Sequence, residues 1–167
     1  VSLSNDHKVP VVPRGGGTGV MGAAVPRRGG LALDLKGLDR ILDISATDRT
    51  ARVQAGVVLE DLEQALSREE LMLGHDPYSV PIATVGGTIS TNSVGYRAGR
   101  YGSMGAQVLA LEAVLPTGEV LRTRATSLPS MGPDLNQLFI GSEGIFGVIT
   151  EATLRAFSVP EFRTFQT

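Results

Sequence analysis

Hydrophobic and polar positions divide the 167-residue chain into short elements. The apolar run Val9-Pro10-Val11-Val12-Pro13 has the length of one buried strand. Leu31-Ala32-Leu33-Asp34-Leu35 alternates and predicts a second, followed by Ile41-Leu42-Asp43-Ile44 and Ala51-Arg52-Val53-Gln54-Ala55-Gly56. The clearest helix covers 58–71, with Leu59, Leu62 and Leu66 on one face and Glu60, Asp61, Glu63 and Gln64 on the wet one. Residues 74–105 carry little regular period, and a short helix is expected within 83–92. Two apolar runs, 108–115 and 120–123, flank Pro116-Thr117-Gly118-Glu119 and predict a β-hairpin. A brief helix capped by Asp134 is expected at 134–139, and a last strand at 147–154. Residues 1–8 read as the end of a helix; with no initiator methionine, the expectation is a piece of a longer protein. Strands with one crossover helix, then an antiparallel hairpin, predict an α+β fold, and no repeat is present.

The stretch Pro13-Arg14-Gly15-Gly16-Gly17-Thr18-Gly19 carries the sharpest chemistry. Three successive glycines at a strand exit remove every side chain, so that backbone N–H groups can converge on an anion. Glycine also tolerates the positive φ that such a concave turn needs, and Gly16 is expected to use that freedom. Thr18 adds a hydroxyl, and Arg14 a charge for a phosphate or for the rim. The next residues satisfy G-x-G-x-x-G, from Gly17 to Gly22, but that dinucleotide motif needs a helix opening on its last glycine. Pro26, Gly29 and Gly30 leave no room for one, and the lysine of an NTPase phosphate loop is missing. The expectation is a loop that wraps a phosphate and passes straight into another strand.

Composition narrows the choice further. There is no cysteine, which removes disulfides, thiol catalysis and thiolate metal sites, and the two histidines make a His-based metal site a poor fit. The net charge of −2 gives no electrostatic reason to expect nucleic acid. No signal peptide or spanning helix is visible, so a cytoplasmic protein without an integral membrane segment is expected. The 21 glycines, by contrast, cluster in 15–30, 86–105 and 141–147 with no low-complexity tract to explain them. Clustered glycine in a folded domain points to repeated close approach of backbone to a long ligand.

Three further motifs stand in order behind the first. They are Thr84-Val85-Gly86-Gly87-Thr88-Ile89-Ser90-Thr91-Asn92, the hairpin from Leu111 to Val120, and Gly141-Ser142-Glu143-Gly144-Ile145-Phe146-Gly147-Val148-Ile149-Thr150-Glu151. Together they resemble the FAD-binding domain of the vanillyl-alcohol oxidase (PCMH) type, over about residues 8–163. Within it the chain is similar to FAD-linked oxidases of the glycolate oxidase and D-lactate dehydrogenase kind. It is also similar to alkyldihydroxyacetonephosphate synthases, through Gly74-His75-Asp76-Pro77, Gly132-Pro133-Asp134-Leu135 and the tail Pro160-Glu161-Phe162-Arg163.

That resemblance implies two α+β subdomains, about 1–75 and 76–159, with FAD extended between them. Residues 13–19 would wrap the pyrophosphate. Tyr78-Ser79-Val80-Pro81-Ile82-Ala83-Thr84 and Thr91-Asn92-Ser93-Val94 would line the ribityl chain and flavin, and Glu143 to Ile149 would follow the cofactor along a strand. Relatives with Arg-Ser-Gly-Gly-His attach flavin through the histidine at the position of Thr18; with Thr there and no cysteine, non-covalent FAD is expected. The implied activity is oxidation of a 2-hydroxy acid, as a homodimer or within a multi-subunit oxidase. The alternatives are a flavin-dependent transferase and a cofactor-binding module without chemistry of its own. His75 reads as structural, catalytic or flavin-linked, and Arg97 and Arg100, before Tyr101, as solvated or as reaching the flavin edge or a substrate carboxylate. Glu143 reads as a residue that titrates near the cofactor or one that positions backbone. The substrate wall and catalytic base are expected in a cap domain outside these residues, so no catalytic residue is named.

Overall fold

A computed structural model describes residues 1–126 and 132–161, which leaves Phe162 and Arg163 of the family-like tail outside the described residues. A one-turn helix α1 (Ser2–Asp6) leads into β1 (Val11–Arg14), which pairs in parallel with β2 (Leu31–Asp34), Val11 opposite Leu31 and Arg14 opposite Asp34. The connection between them is the glycine loop, and it contains no helix, as the Pro26 and Gly29-Gly30 breaks predict. The doubly wound reading of G-x-G-x-x-G is thereby excluded.

The larger sheet is built around β8 (Val148–Ser158), the longest strand described. It lies between β4 (Thr50–Gln54) and β6 (Val108–Val114), antiparallel to both. β3 (Ile41–Ser45) extends the sheet beyond β4, and β7 (Val120–Arg122) beyond β6 as the expected hairpin. The short β5 (Leu71–Leu73) pairs with the far end of β8. The two sheets therefore divide between Asp34 and Ile41, and the larger one takes strands from both sides of residue 75.

Alternation decides which face is inside. Ala51, Val53, Leu111, Ala113, Ala152, Leu154 and Ala156 are buried, while Arg52, Glu112, Thr153 and Arg155 face outward or sit at the margin. On that outer face Arg52 pairs with Glu151 at 2.7 Å, and Arg122 with Glu112 at 2.6 Å. Against the inner face packs α2 (Leu59–Ser67), whose Leu59, Leu62 and Leu66 are 1%, 0% and 0% exposed, as its period predicts. The small α3 (Val85–Ser90) buries Val85 and Ile89 in the same core. It comes close because its partner side chains are small: a Cβ on Gly86 would stand 2.7 Å from the Ala55 methyl. α4 (Ala98–Tyr101) buries no residue and packs Tyr101 against Phe157, with ring centroids 4.4 Å apart. α5 (Asn136–Phe139) adds its buried Phe139 to the layer, and the Asp134 carboxylate accepts the Asn136 N–H at 3.0 Å. No helix among the described residues is long and apolar enough to cross a membrane.

Candidate functional site

Backbone ties bring the three glycine-containing motifs together. Leu59 N–H donates to the Ala83 carbonyl, Val85 to Val57 and Gly86 to Ala55, at 2.8–2.9 Å, so residues 83–86 are pinned to the start of α2. The first loop is seated on this pinned segment. Gly16 N–H donates to Thr84 Oγ1 at 3.3 Å. A Cβ on Gly16 would fall on the Ile82 carbonyl oxygen, and one on Gly15 on the Thr84 hydroxyl. The third motif is tied to the end of α3, by Gly141 N–H to Ile89 and Glu143 N–H to Ser90 at 3.0 and 2.9 Å. A Cβ on Gly144 would meet the Pro13 ring, so this motif also abuts the first.

Between them lies a cleft of about 450 Å³. Of the residues expected from sequence, Pro13, Gly15, Gly16, Gly17, Thr18, Gly19, Ser79, Ala83, Thr84, Thr91, Ser93, Glu143, Gly144, Gly147 and Ile149 line it. The rest do not. Tyr78 and Val94 are 91% and 70% exposed, and Pro81, Ile145 and Phe146 are also exposed. Val80 packs against the core and Val148 is buried, because both belong to the scaffold rather than to the rim. Ile82 contributes only its carbonyl, as the seat of Gly16. Asn92 uses its side-chain oxygen to accept the Gly105 N–H at 3.0 Å, and Arg14 stretches its guanidinium over Gly17.

One expectation about the loop is corrected. Gly17, at φ 69°, is the loop residue in the left-handed region, whereas Gly16 is glycine because a side chain would collide with Ile82. Sequence reasoning did not single out several other lining residues: Leu35, Pro77, Gly86, Gly87, and Val20, Met21, Ala23 and Ala24 on the outer turn. A usable signal did mark the side of α3 that faces the cleft. Thr84, Thr88 and Thr91 stand at helical spacing i, i+4, i+7, so their hydroxyls share the cleft face of α3 while Val85 and Ile89 turn to the core.

The charged candidates resolve differently. Arg97 is committed to structure: it pairs with Glu63 at 3.1 Å and Asp76 at 3.2 Å, and donates to the Leu73 carbonyl at 2.9 Å. Glu63 is thus no idle member of a wet face, since it also accepts the Leu73 N–H at 2.7 Å. Arg100 lies over the Tyr101 ring at 5.4 Å. His75 is 3% exposed, with Nε2 2.8 Å from Ser93 Oγ. Burial pushes its pKa below the ordinary histidine value, against the opposing charge of Asp76.

These features fit a dinucleotide carrying a diphosphate and a polyol. The N–H groups of Gly17, Thr18 and Gly19 have no protein acceptor among the described residues, as an anion nest requires. Hydroxyls of Ser79, Thr84, Thr88, Ser90 and Thr91 supply partners for a polyol, and Gly86 and Gly87 let a flat ring approach the backbone.

Comparison with known proteins gives the same answer. The chain is 40% identical over 162 residues to the glycolate oxidase subunit GlcD of Bacillus subtilis, covering 96% of this chain and 34% of that protein. It is 41% identical over 162 residues to a D-lactate dehydrogenase of Anaerostipes hadrus, with the same coverage of 96% and 34%. An alkyldihydroxyacetonephosphate synthase of Trypanosoma brucei brucei is 39% identical, covering 99% of this chain and 28% of that protein. A solved structure of alkyldihydroxyacetonephosphate synthase superposes with a TM-score of 0.86 at 31% identity, over 96% of this chain and 29% of the other. The chain thus spans about a third of the length of the curated relatives it matches. Residues 1–124 match the family model for an FAD binding domain, and to that family, with FAD as its cofactor, this chain belongs.

Proposed function

We propose that this chain holds FAD non-covalently as the cofactor-binding part of an oxidoreductase acting on a 2-hydroxy acid. The observation that carries the reading is the convergence of the three motifs on one cleft with unpaired loop N–H groups at one wall and hydroxyls at another. Bound flavin supplies two-electron chemistry, accepting hydride from the α-carbon of an alcohol. The chain's own work is binding and orientation. Gly15 to Gly19 hold the diphosphate, Thr84, Thr88 and Thr91 meet the polyol, and Glu143, Gly144, Gly147 and Ile149 border the flavin. FAD lies extended where the β1–β2 pair meets the helices of the larger sheet. The substrate class follows the glycolate and D-lactate relatives; the wall facing the substrate is assigned to the remaining length of such proteins. A cytoplasmic location, and assembly as a homodimer or within a multi-subunit oxidase, belong to the same proposal.

A second reading, a flavin-dependent transferase, is favoured by the 0.86 superposition on alkyldihydroxyacetonephosphate synthase. Two measurements test these readings, the first their common cofactor and the second the activity that separates them. Cofactor released by heat is identified by mass as FAD; FMN, or NADP with no flavin, refutes the assignment. Anaerobic glycolate, D-lactate or a longer 2-hydroxy acid then bleaches the flavin of a full-length protein carrying this domain, while the loaded chain alone stays oxidised. A full-length flavin that stays oxidised with every hydroxy acid, together with acyl exchange on a dihydroxyacetone-phosphate ester, establishes the transferase.

A further inference from the structure

The buried histidine beside the cleft has an unusual balance of donors and acceptors. His75 Nε2 lies 2.8 Å from Ser93 Oγ, while its Nδ1 is buried with no partner among the described residues. One ring nitrogen of a neutral imidazole carries the proton and the other does not. If Nδ1 carried it, a buried N–H would be orphaned, and orphaned N–H groups are the rarer and costlier kind. The favoured tautomer therefore has the proton on Nε2, which donates to Ser93 Oγ. Ser93 itself is fixed at both ends, its N–H on the Thr88 carbonyl at 3.0 Å and its carbonyl on the Met104 N–H at 2.9 Å.

With Oγ occupied as an acceptor, the Ser93 hydroxyl hydrogen has no protein acceptor among the described residues, and Ser93 lines the cleft. We propose that His75 is a positioning residue that makes Ser93 a one-way hydrogen-bond donor into the cleft, for a carbonyl oxygen or unprotonated nitrogen of the flavin ring. The proposal rests on the FAD reading. The ring is favoured over the diphosphate by position. Gly16 meets Thr84 at the start of α3, whereas Ser93 lies beyond its last residue, roughly 9 Å along a six-residue helix. A donor at the ring stabilises electron density gained on reduction, so it tunes the cofactor as well as holding it.

Two independent readouts test this. His75 and His7 are the only histidines, and His7 is exposed, so long-range ¹H–¹⁵N spectra of the apo chain assign the buried ring by comparison with His75→Gln. A protonated Nε2 and a bare Nδ1 are expected; a protonated Nδ1 overturns the proposal. Next, Ser93→Ala is expected to weaken FAD binding three- to tenfold, the range of one hydrogen bond. Because the bond is stronger to the reduced ring, reduced flavin should lose a further three- to tenfold in affinity, which lowers the potential by about 15–30 mV for a two-electron couple. His75→Leu frees the Ser93 rotor and moves the potential the same way. His75→Gln, whose amide N–H can still donate to Ser93, restores it. A merely structural histidine would lower stability in both variants without moving the potential. Weakened FAD binding in Ser93→Ala with an unchanged potential refutes a ring contact. Wild-type chain that binds no FAD sinks the cofactor reading as well, whereas normal FAD binding in both Ser93→Ala and wild type sinks this inference alone.

Discussion

Replacing Gly16 with alanine tests how the phosphate loop is positioned. The added methyl lands on the Ile82 carbonyl oxygen, whose segment is tied to α2 and cannot retreat. The loop must move instead, with loss of the 3.3 Å bond from Gly16 N–H to Thr84. Forcing a methyl into packed surroundings costs about 1–3 kcal/mol, and the weak hydrogen bond adds about 0.5–1.5 kcal/mol. Because the loop lies on the surface of the core, most of this is expected in FAD affinity rather than in unfolding. The dissociation constant should rise roughly 10- to 10³-fold, at tenfold for each 1.4 kcal/mol. Gly37→Ala is the matched control, since Gly37 lies outside the cleft and nothing stands within 4 Å of its added methyl. Flavin-fluorescence titration and urea unfolding of the two variants make the comparison. FAD binding by Gly16→Ala within twofold of wild type would refute the claim that the Ile82 carbonyl seats the loop.

Two further outcomes follow from the core and from its buried histidine. Leu62, fully buried in the face that α2 presents to the sheet, should destabilise the chain by about 2–5 kcal/mol on truncation to alanine, read by urea unfolding. Since burial depresses the folded-state pKa of His75, with Asp76 opposing and itself neutralised by Arg97, the unfolded chain binds the proton first as pH falls. Its contribution to stability is therefore complete above the unfolded value of about 6.5 and is lost below it, by up to tenfold in the folding constant per pH unit. Urea midpoints at pH 7.5, 6.5 and 5.5 should show this slope in wild type and a shallower one in His75→Gln; equal slopes would exclude His75 as its source.

What the sequence made legible was local. The face of α2, the β6–β7 hairpin and the interruption of the glycine loop by Pro26 are each decided within a dozen residues. What it hid is carried by partners far away in the chain. The helix expected to reach Leu71 ends at Ser67, because Glu70 turns to φ 57° and Leu71 to Leu73 pair with β8. Nothing local says that β4 adjoins a strand about a hundred residues later, in a sheet that begins with β3 after residue 40. The motifs located the cleft, yet could not say which of their residues face it. Ser79 faces it and Tyr78 beside it does not, a choice fixed by the turn at 77–82 rather than by residue type.

The site thus has a rigid half and a compliant half, and the division explains why its glycines differ in meaning. Thr84, Ala83 and Gly86 are buried and tied to α2 and β4, so the floor holds its shape without a ligand. The outer turn is the reverse: Val20 and Met21 are 94% and 81% exposed, and Gly17 to Gly19 are exposed with N–H groups that have no protein acceptor among the described residues. Solvated N–H groups carry no desolvation penalty while they wait, and each gains about 1.5–3 kcal/mol when a charged acceptor replaces water. Diphosphate binding can therefore order the loop, but only the floor decides where the loop is ordered. A side chain at Gly15 or Gly16 moves the whole nest off its seat, whereas one at Gly19 meets open space. In this loop, then, the first glycines register the chain against the fold and the later ones present it to the ligand.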